Sequence, residues 1–206
     1  MILYDSARAP NPRRVRWVMA EKNITDVEIV ETDIFKGEHR TPDYVRRAGV
    51  PNVPALTIDD DTTITESLAI CHYLESVYPE PNVFGRDARE VAVIEMWTRR
   101  AEMMVATPLM LTVRHSHPAL AAIETKSAEF AAVQRQGAER ALSFFNQRLA
   151  DSEFIAGHRV TMADIVAFCS LDFARMIKFR PDEAHTDLAR WADMMRARPA
   201  AQAGVG

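Results

Sequence analysis

Strand-like and helix-like segments alternate over the first eighty residues, and beyond them the strand signals stop. This change of pattern restricts the fold more than any other feature of the chain, because a sheet layered with helices and an all-helical bundle are separate packing solutions. Residues 2–5 read as a strand. Asn11 suits an N-cap and Pro12 a first helical position, with Val15, Val18, Met19 and Lys22 following at helical spacing and Asn23 as a stop. Residues 27–31 return as a strand. Residues 36–47 are polar and broken by Gly37 and Pro42, so they read as a loop with at most a short helix. Residues 55–58 and 62–65 flank Asp59-Asp60-Asp61, the pattern of a hairpin. Leu68, Cys71, Leu74 and Tyr78 then mark a helix over 66–78.

Pro79, Pro81 and Gly85 break this pattern and read as a linker. After it come a helix over 87–107 closed by Pro108, a shorter piece to His115, and further helices over 119–150, 161–176 and 186–198. The expected fold is α/β followed by all-α, with an α/β domain over 1–80 and an all-helical domain over 87–206.

A chain of 206 residues has room for this division. Its 25 basic and 29 acidic side chains leave a net charge of -4, which offers no electrostatic footprint for nucleic acid. No apolar run approaches the ~18 residues of a membrane span, and the N-terminus has no leader pattern. Cys71 and Cys169 lie in apolar stretches without a partner at metal or redox spacing. A reduced, cytoplasmic location is therefore expected.

Two segments carry candidate chemistry. In Val53-Pro54-Ala55-Leu56 a proline stands just before a strand, and a cis peptide there would leave the backbone of Val53 able to pair with a peptide-like ligand. Ten residues on, Glu66-Ser67 opens a helix, so one short segment can hold an ammonium with Glu66 and a carboxylate with Ser67, the two charges of an α-amino acid. Each piece also fits a plain strand start or helix cap. The second segment runs from Ser6 to Arg16 and places Arg13, Arg14 and Arg16 in the first turns of a helix, where the macrodipole disfavours cations. A bound anion would relieve them; a capped helix with solvated arginines is the alternative. Asn11 can cap through its oxygen and still present its NH2 group.

Other patterns are structural. Thr161-Met162-Ala163-Asp164 is a capping box with Val160 and Ile165 as its hydrophobic staple. His115 and His117 have no third ligand, so no metal is assigned. Trp97, Met103, Met104 and Thr107 are spaced to line an apolar pocket, or to serve as core.

Taken together and in this order, these features resemble the glutathione transferase family over nearly the whole chain, closest in motif to the bacterial nu-like and theta-like classes. The resemblance implies a thioredoxin-like N-terminal domain and a helical bundle carrying Phe154-Ile155-Ala156-Gly157 and the capping box at Thr161. It implies that Val53, before a cis Pro54, pairs with the cysteinyl part of glutathione, and that Glu66 and Ser67 hold its γ-glutamyl end. His39 stands where several classes place a group for the glycyl carboxylate. Asn52 departs from the pattern, since a lysine is common there, and leaves more of that contact to His39. Ala9 departs too, because many classes carry a serine before the helix-1 proline. Asn11 is the natural substitute and is similar to the asparagine of nu-like members, with Ser6 and Tyr4 as further candidates to stabilise the thiolate.

A thiol with a pKa near 8.5 is mostly protonated at neutral pH, so such a site gains by stabilising its thiolate with donors and positive potential. The expected function is glutathione transfer, with glutathione as co-substrate and Asn11 or Ser6 in the catalytic role. Met103 and Thr107 would meet an apolar electrophile, and the resemblance implies a homodimer. A glutathione-dependent reductase or peroxidase on the same fold, or an interaction module without catalysis, are the competing readings.

Overall fold

Leu3, Tyr4 and Asp5 are buried because β1 (Ile2–Asp5) is an inner strand of a four-stranded sheet. The computed structural model describes residues 1–203. On one side β1 runs parallel to β2 (Glu28–Glu31), and on the other it runs antiparallel to β3 (Ala55–Thr57), which pairs antiparallel with β4 (Thr63–Thr65). The order is β2-β1-β3-β4. The expected hairpin thus forms, with Asp59 Oδ1 accepting the amides of Asp61 and Thr62 to shape its turn.

The chain divides into two units, Met1–Pro81 with the segment from Pro199 on, and Asn82–Arg198. In the first, α1 (Pro10–Glu21) starts two positions earlier than the sequence pattern predicts. Pro10, not Pro12, occupies the first helical position, and Ala9 is the N-cap without a side-chain bond, so Asn11 lies inside the first turn and is not the cap. Of two prolines that both preset φ and lack an amide needing a cap, the first is enough to begin the helix. Asn23, at φ 53, stops it as expected. Inside 36–47 a short helix does form, α2 (Pro42–Ala48), capped by the Thr41 hydroxyl and closed by Gly49 at φ 76. The last helix of the unit is α3 (Ser67–Val77). Lys22 Nζ ties the end of α1 to the segment beyond α3, donating to the carbonyls of Tyr78 and Pro81 at 2.8 Å each while pairing with Glu75.

The second unit contains α4 (Ala88–Arg100), α5 (Thr107–Ser116), α6 (Ala128–Ala150), α7 (Met162–Ala174) and α8 (Thr186–Arg196). Pro108 does not end the helical run. Residues 101–106 widen into a π segment, in which the Thr107 amide reaches back five residues to Glu102 O, and α5 continues through the proline. A continuous α-helix would drive the Pro108 ring into the carbonyl four residues earlier, and the wider turn removes that collision. Nor does α6 begin at residue 119; Pro118 starts a single 3-10 turn, and the Ser127 hydroxyl caps α6 by accepting from the Phe130 amide. Gly85, at φ 108, stands where an added Cβ would come within 2.6 Å of the Val91 nitrogen, so only glycine fits this entry to α4.

Every residue of α7 from Met162 to Leu171 is buried. The capping box is present, and Asp164 does more than cap: it accepts from the amides of Ile155 and Thr161, the Thr161 hydroxyl and the indole of Trp191. After α8, Ala200 and Ala201 are buried and Arg13 Nη2 donates to Ala201 O at 3.0 Å, so this segment groups with the first unit although the sequence puts it with the helices. Residues 204–206, counted with the helical half from the sequence, lie outside the described residues.

Candidate functional site

Sheet register gathers the candidate residues of the first unit at one end. Ala55 pairs with Thr65, so one step past this pair the chain leaves the ladder at Pro54 on one strand and Glu66 on the other. Tyr4 pairs with Ala55, so Asp5 and Ser6 run out at the same end, where α1 then begins. Three chain segments that are far apart in sequence thus converge through ordinary strand pairing.

Each presents polar groups that the fold leaves unused. The Val53–Pro54 peptide is cis, and the N–H and C=O of Val53 make no hydrogen bond among the described residues. Glu66 is exposed, its carboxylate has no partner among them, and its backbone sits at φ 66, ψ 118. A non-glycine residue held there carries strain of about 1–3 kcal/mol, the kind of cost that clusters at binding sites. Ser67 is buried at the start of α3, and its Oγ accepts from Arg14 Nη1 at 3.2 Å. The Ser6 hydroxyl makes no hydrogen bond among the described residues, and the Asn11 Oδ1 is buried without one.

The arginines differ from both expectations drawn for them, being neither solvated nor waiting for an anion. Arg14 and Arg16 are 2% and 6% exposed. Arg16 pairs with Asp5 and donates to Ala7 O at 2.9 Å and Ser6 O at 3.4 Å, fixing the loop that carries Ser6. The Ala7 amide is in turn held by the Glu31 carboxylate. Cations in a first helical turn were the visible signal; their inward direction was not.

Tyr4 is committed elsewhere. Its ring meets Tyr44 edge-on at 5.9 Å, lies under the Arg47 guanidinium at 5.1 Å and packs in a cluster with Ala48 and Ala55. The Tyr44 hydroxyl donates to Asn52 O at 2.5 Å, which steadies the loop before Val53, and burial pushes this phenol up to about 12. Asn52 itself is exposed. His39 is buried, with Nε2 accepting from Arg40 Nε at 3.3 Å.

In the second unit Met103 is 62% exposed and Thr107 is also exposed, both in or next to the π segment. Trp97 does not join them. It stacks on Phe144 at 5.6 Å, meets Phe145 edge-on and lies under Arg100, so it belongs to an aromatic cluster with α6. His115 packs against Phe130 and His117 caps the turn after α5, and no group of three metal-ligating side chains occurs among the described residues.

Residues 9–77 match the model of the glutathione S-transferase N-terminal domain, and residues 101–199 match that of the C-terminal domain. The chain belongs to the glutathione S-transferase family. Glutathione S-transferase 2 of Saccharomyces cerevisiae is 33% identical over 202 residues, covering 97% of this chain and 87% of that one. The crystal structure of Gtt2 from Saccharomyces cerevisiae superimposes with a TM-score of 0.92 over 97% of this chain and 98% of that chain, at 33% identity. A glutathione S-transferase domain-containing protein from Marinobacter aquaeolei VT8 gives a TM-score of 0.91 at 35% identity, with 97% and 99% covered. The fold of this glutathione S-transferase is accordingly a thioredoxin-like N-terminal sheet and helices followed by a helical C-terminal part. No helix among the described residues is long and apolar enough to cross a membrane.

Proposed function

We propose that this chain is a glutathione transferase whose first unit binds glutathione as co-substrate and prepares its thiolate for attack on an apolar electrophile. One observation carries the reading: at a single end of the sheet the fold leaves unpaired the backbone of Val53, the Glu66 carboxylate and the hydroxyl proton of Ser67. An extended γ-glutamyl peptide can use all three. Val53 pairs with the cysteinyl backbone beside Pro54, Glu66 accepts from the ammonium and Ser67 donates to the carboxylate. His39, with Asn52 nearby in sequence, takes the glycyl carboxylate.

The cysteinyl sulfur then lies by Ser6 and the first turn of α1, where Asn11 and the helix dipole stabilise the thiolate. The thiolate attacks an electrophilic carbon, a new C–S bond forms, and the leaving group departs with the electron pair. Met103 and Thr107 are the contacts for the electrophile. In this reading the enzyme acts in the cytoplasm, where glutathione is reduced and the buried Cys71 and Cys169, neither of them in a disulfide, are at home, and it acts as a homodimer.

The test is a glutathione matrix followed by an electrophile panel. The protein is expected to be retained and eluted by free glutathione, Glu66→Ala is expected to bind at least tenfold more weakly, and an aryl halide is expected to turn over. Turnover of a mixed disulfide or hydroperoxide alone would reassign the chain as a reductase or peroxidase; retention without turnover of any kind would reduce it to a binding module. Sedimentation at micromolar concentration is expected to give twice the chain mass.

A further inference from the structure

We propose that Arg14 is a positioning residue that fixes the Ser67 hydroxyl as an obligate hydrogen-bond donor, and so makes the site selective for thiols with a free α-carboxylate on their γ-glutamyl residue. The proposal rests on the glutathione reading above and names the chemical feature of the co-substrate that this pair reads.

A serine hydroxyl is ambivalent, with one proton to give and two lone pairs to fill. Here Arg14 Nη1 donates to Ser67 Oγ at 3.2 Å, and both residues are buried. A guanidinium has no acceptor, so the hydroxyl proton cannot turn toward Arg14 and is directed to another group. No acceptor for it occurs among the described residues. The Ser67 hydroxyl therefore presents a proton, polarised by the cation behind it, and hydrogen bonds in such a chain strengthen one another. That proton can be used only by an acceptor, which a carboxylate supplies and an ammonium does not.

One residue away the polarity is reversed. Glu66 is acceptor-only when ionised, and its φ of 66 turns it out of the helix that Ser67 begins. Consecutive residues thus offer an acceptor and a donor that cannot exchange roles, which reads the head group in one orientation. The positioning depends on Arg14 being donor-only, a property lysine shares and glutamine does not. Glutamine could accept the Ser67 proton through its own carbonyl and leave the hydroxyl turned away from the ligand.

The test compares, by calorimetry, the binding of S-hexylglutathione with that of the analogue lacking the γ-glutamyl α-carboxylate. Wild type is expected to prefer the former by about tenfold to a hundredfold, the range of one charge-assisted hydrogen bond. Arg14→Lys is expected to keep most of that preference. Arg14→Gln is expected to shrink it to within a few fold by weakening only the carboxylate ligand, a selective change that a general loss of structure would not give. A preference that survives Arg14→Gln overturns the proposal. If that variant does not fold, Ser67→Ala decides: collapse of the preference supports the role, and its survival overturns it. Failure of the underlying reading looks different, since wild type would then bind neither compound.

Discussion

The indole N–H of Trp191 donates to Oδ1 of Asp164 at 2.9 Å, joining α8 to a carboxylate that already accepts three hydrogen bonds at the start of α7. Asp164 is fully buried, and burial pushes its carboxyl above the ordinary range against the pull of those four donors. Asp164→Ala orphans every one of them. The expected loss is about 3 kcal/mol or more, beyond the ~0.5–2 kcal/mol of a capping box alone. Denaturant unfolding measures it, and a loss below ~1 kcal/mol would return Asp164 to a simple cap.

Glu66 separates binding from stability. Glu66→Gly removes the carboxylate and relieves a backbone that glycine adopts freely, so it is expected to be about 1 kcal/mol more stable than Glu66→Ala while binding glutathione equally poorly. Melting curves of the two variants side by side give the comparison, and equal stabilities would remove strain from the account.

At the thiolate, Asn11→Ala is expected to depress turnover and raise the apparent pKa of bound glutathione more than Ser6→Ala does. The Asn11 side chain is built into the first turn of α1, whereas Ser6 belongs to the preceding loop. The rate loss is expected to stay below the ~10²–10³ typical of removing one oxyanion donor, because helix amides remain. Thiolate absorbance against pH is the readout; a shift confined to the Ser6 variant reverses the ranking.

Tyr44 gives the molecule an alkaline edge. Its folded-state pKa of about 12 lies above the ordinary tyrosine value of 10.0, so the folded state holds the phenolic proton more tightly than the unfolded chain does. The stabilisation this provides is complete below pH ~10 and is lost as pH rises from there toward ~12. Tyr44→Phe is expected to be less stable than wild type at pH ~8 and to show a shallower decline between pH ~9 and ~11. Parallel declines in the two proteins would detach the phenol from alkaline unfolding.

How much could be read in advance depends on how local each cause is. The strand at Ile2, the Asp59 turn, the stop at Asn23 and the capping box rest on neighbouring residues, and each stands where the pattern puts it. The convergence of Val53, Glu66 and Ser6 depends on strand register, which no single segment contains. The inward turn of Arg14 and Arg16 depends on partners 53 and 11 residues away, so helix-end electrostatics alone suggested exposed cations. Tyr4 looked available because its neighbours Tyr44 and Arg47 lie on a helix within a segment whose polarity argued for a loop.

A π turn houses one residue more than an α turn of equal span, so 101–106 is where the helical run of residues 88–116 carries a surplus position. Removing a single residue there would restore regular α geometry only by setting the Pro108 ring against the turn before it and by rotating everything beyond through about 100°. A descendant of this chain that loses one residue from 101–106 should therefore have lost Pro108 as well, and Thr107 with the face beyond it would then point elsewhere.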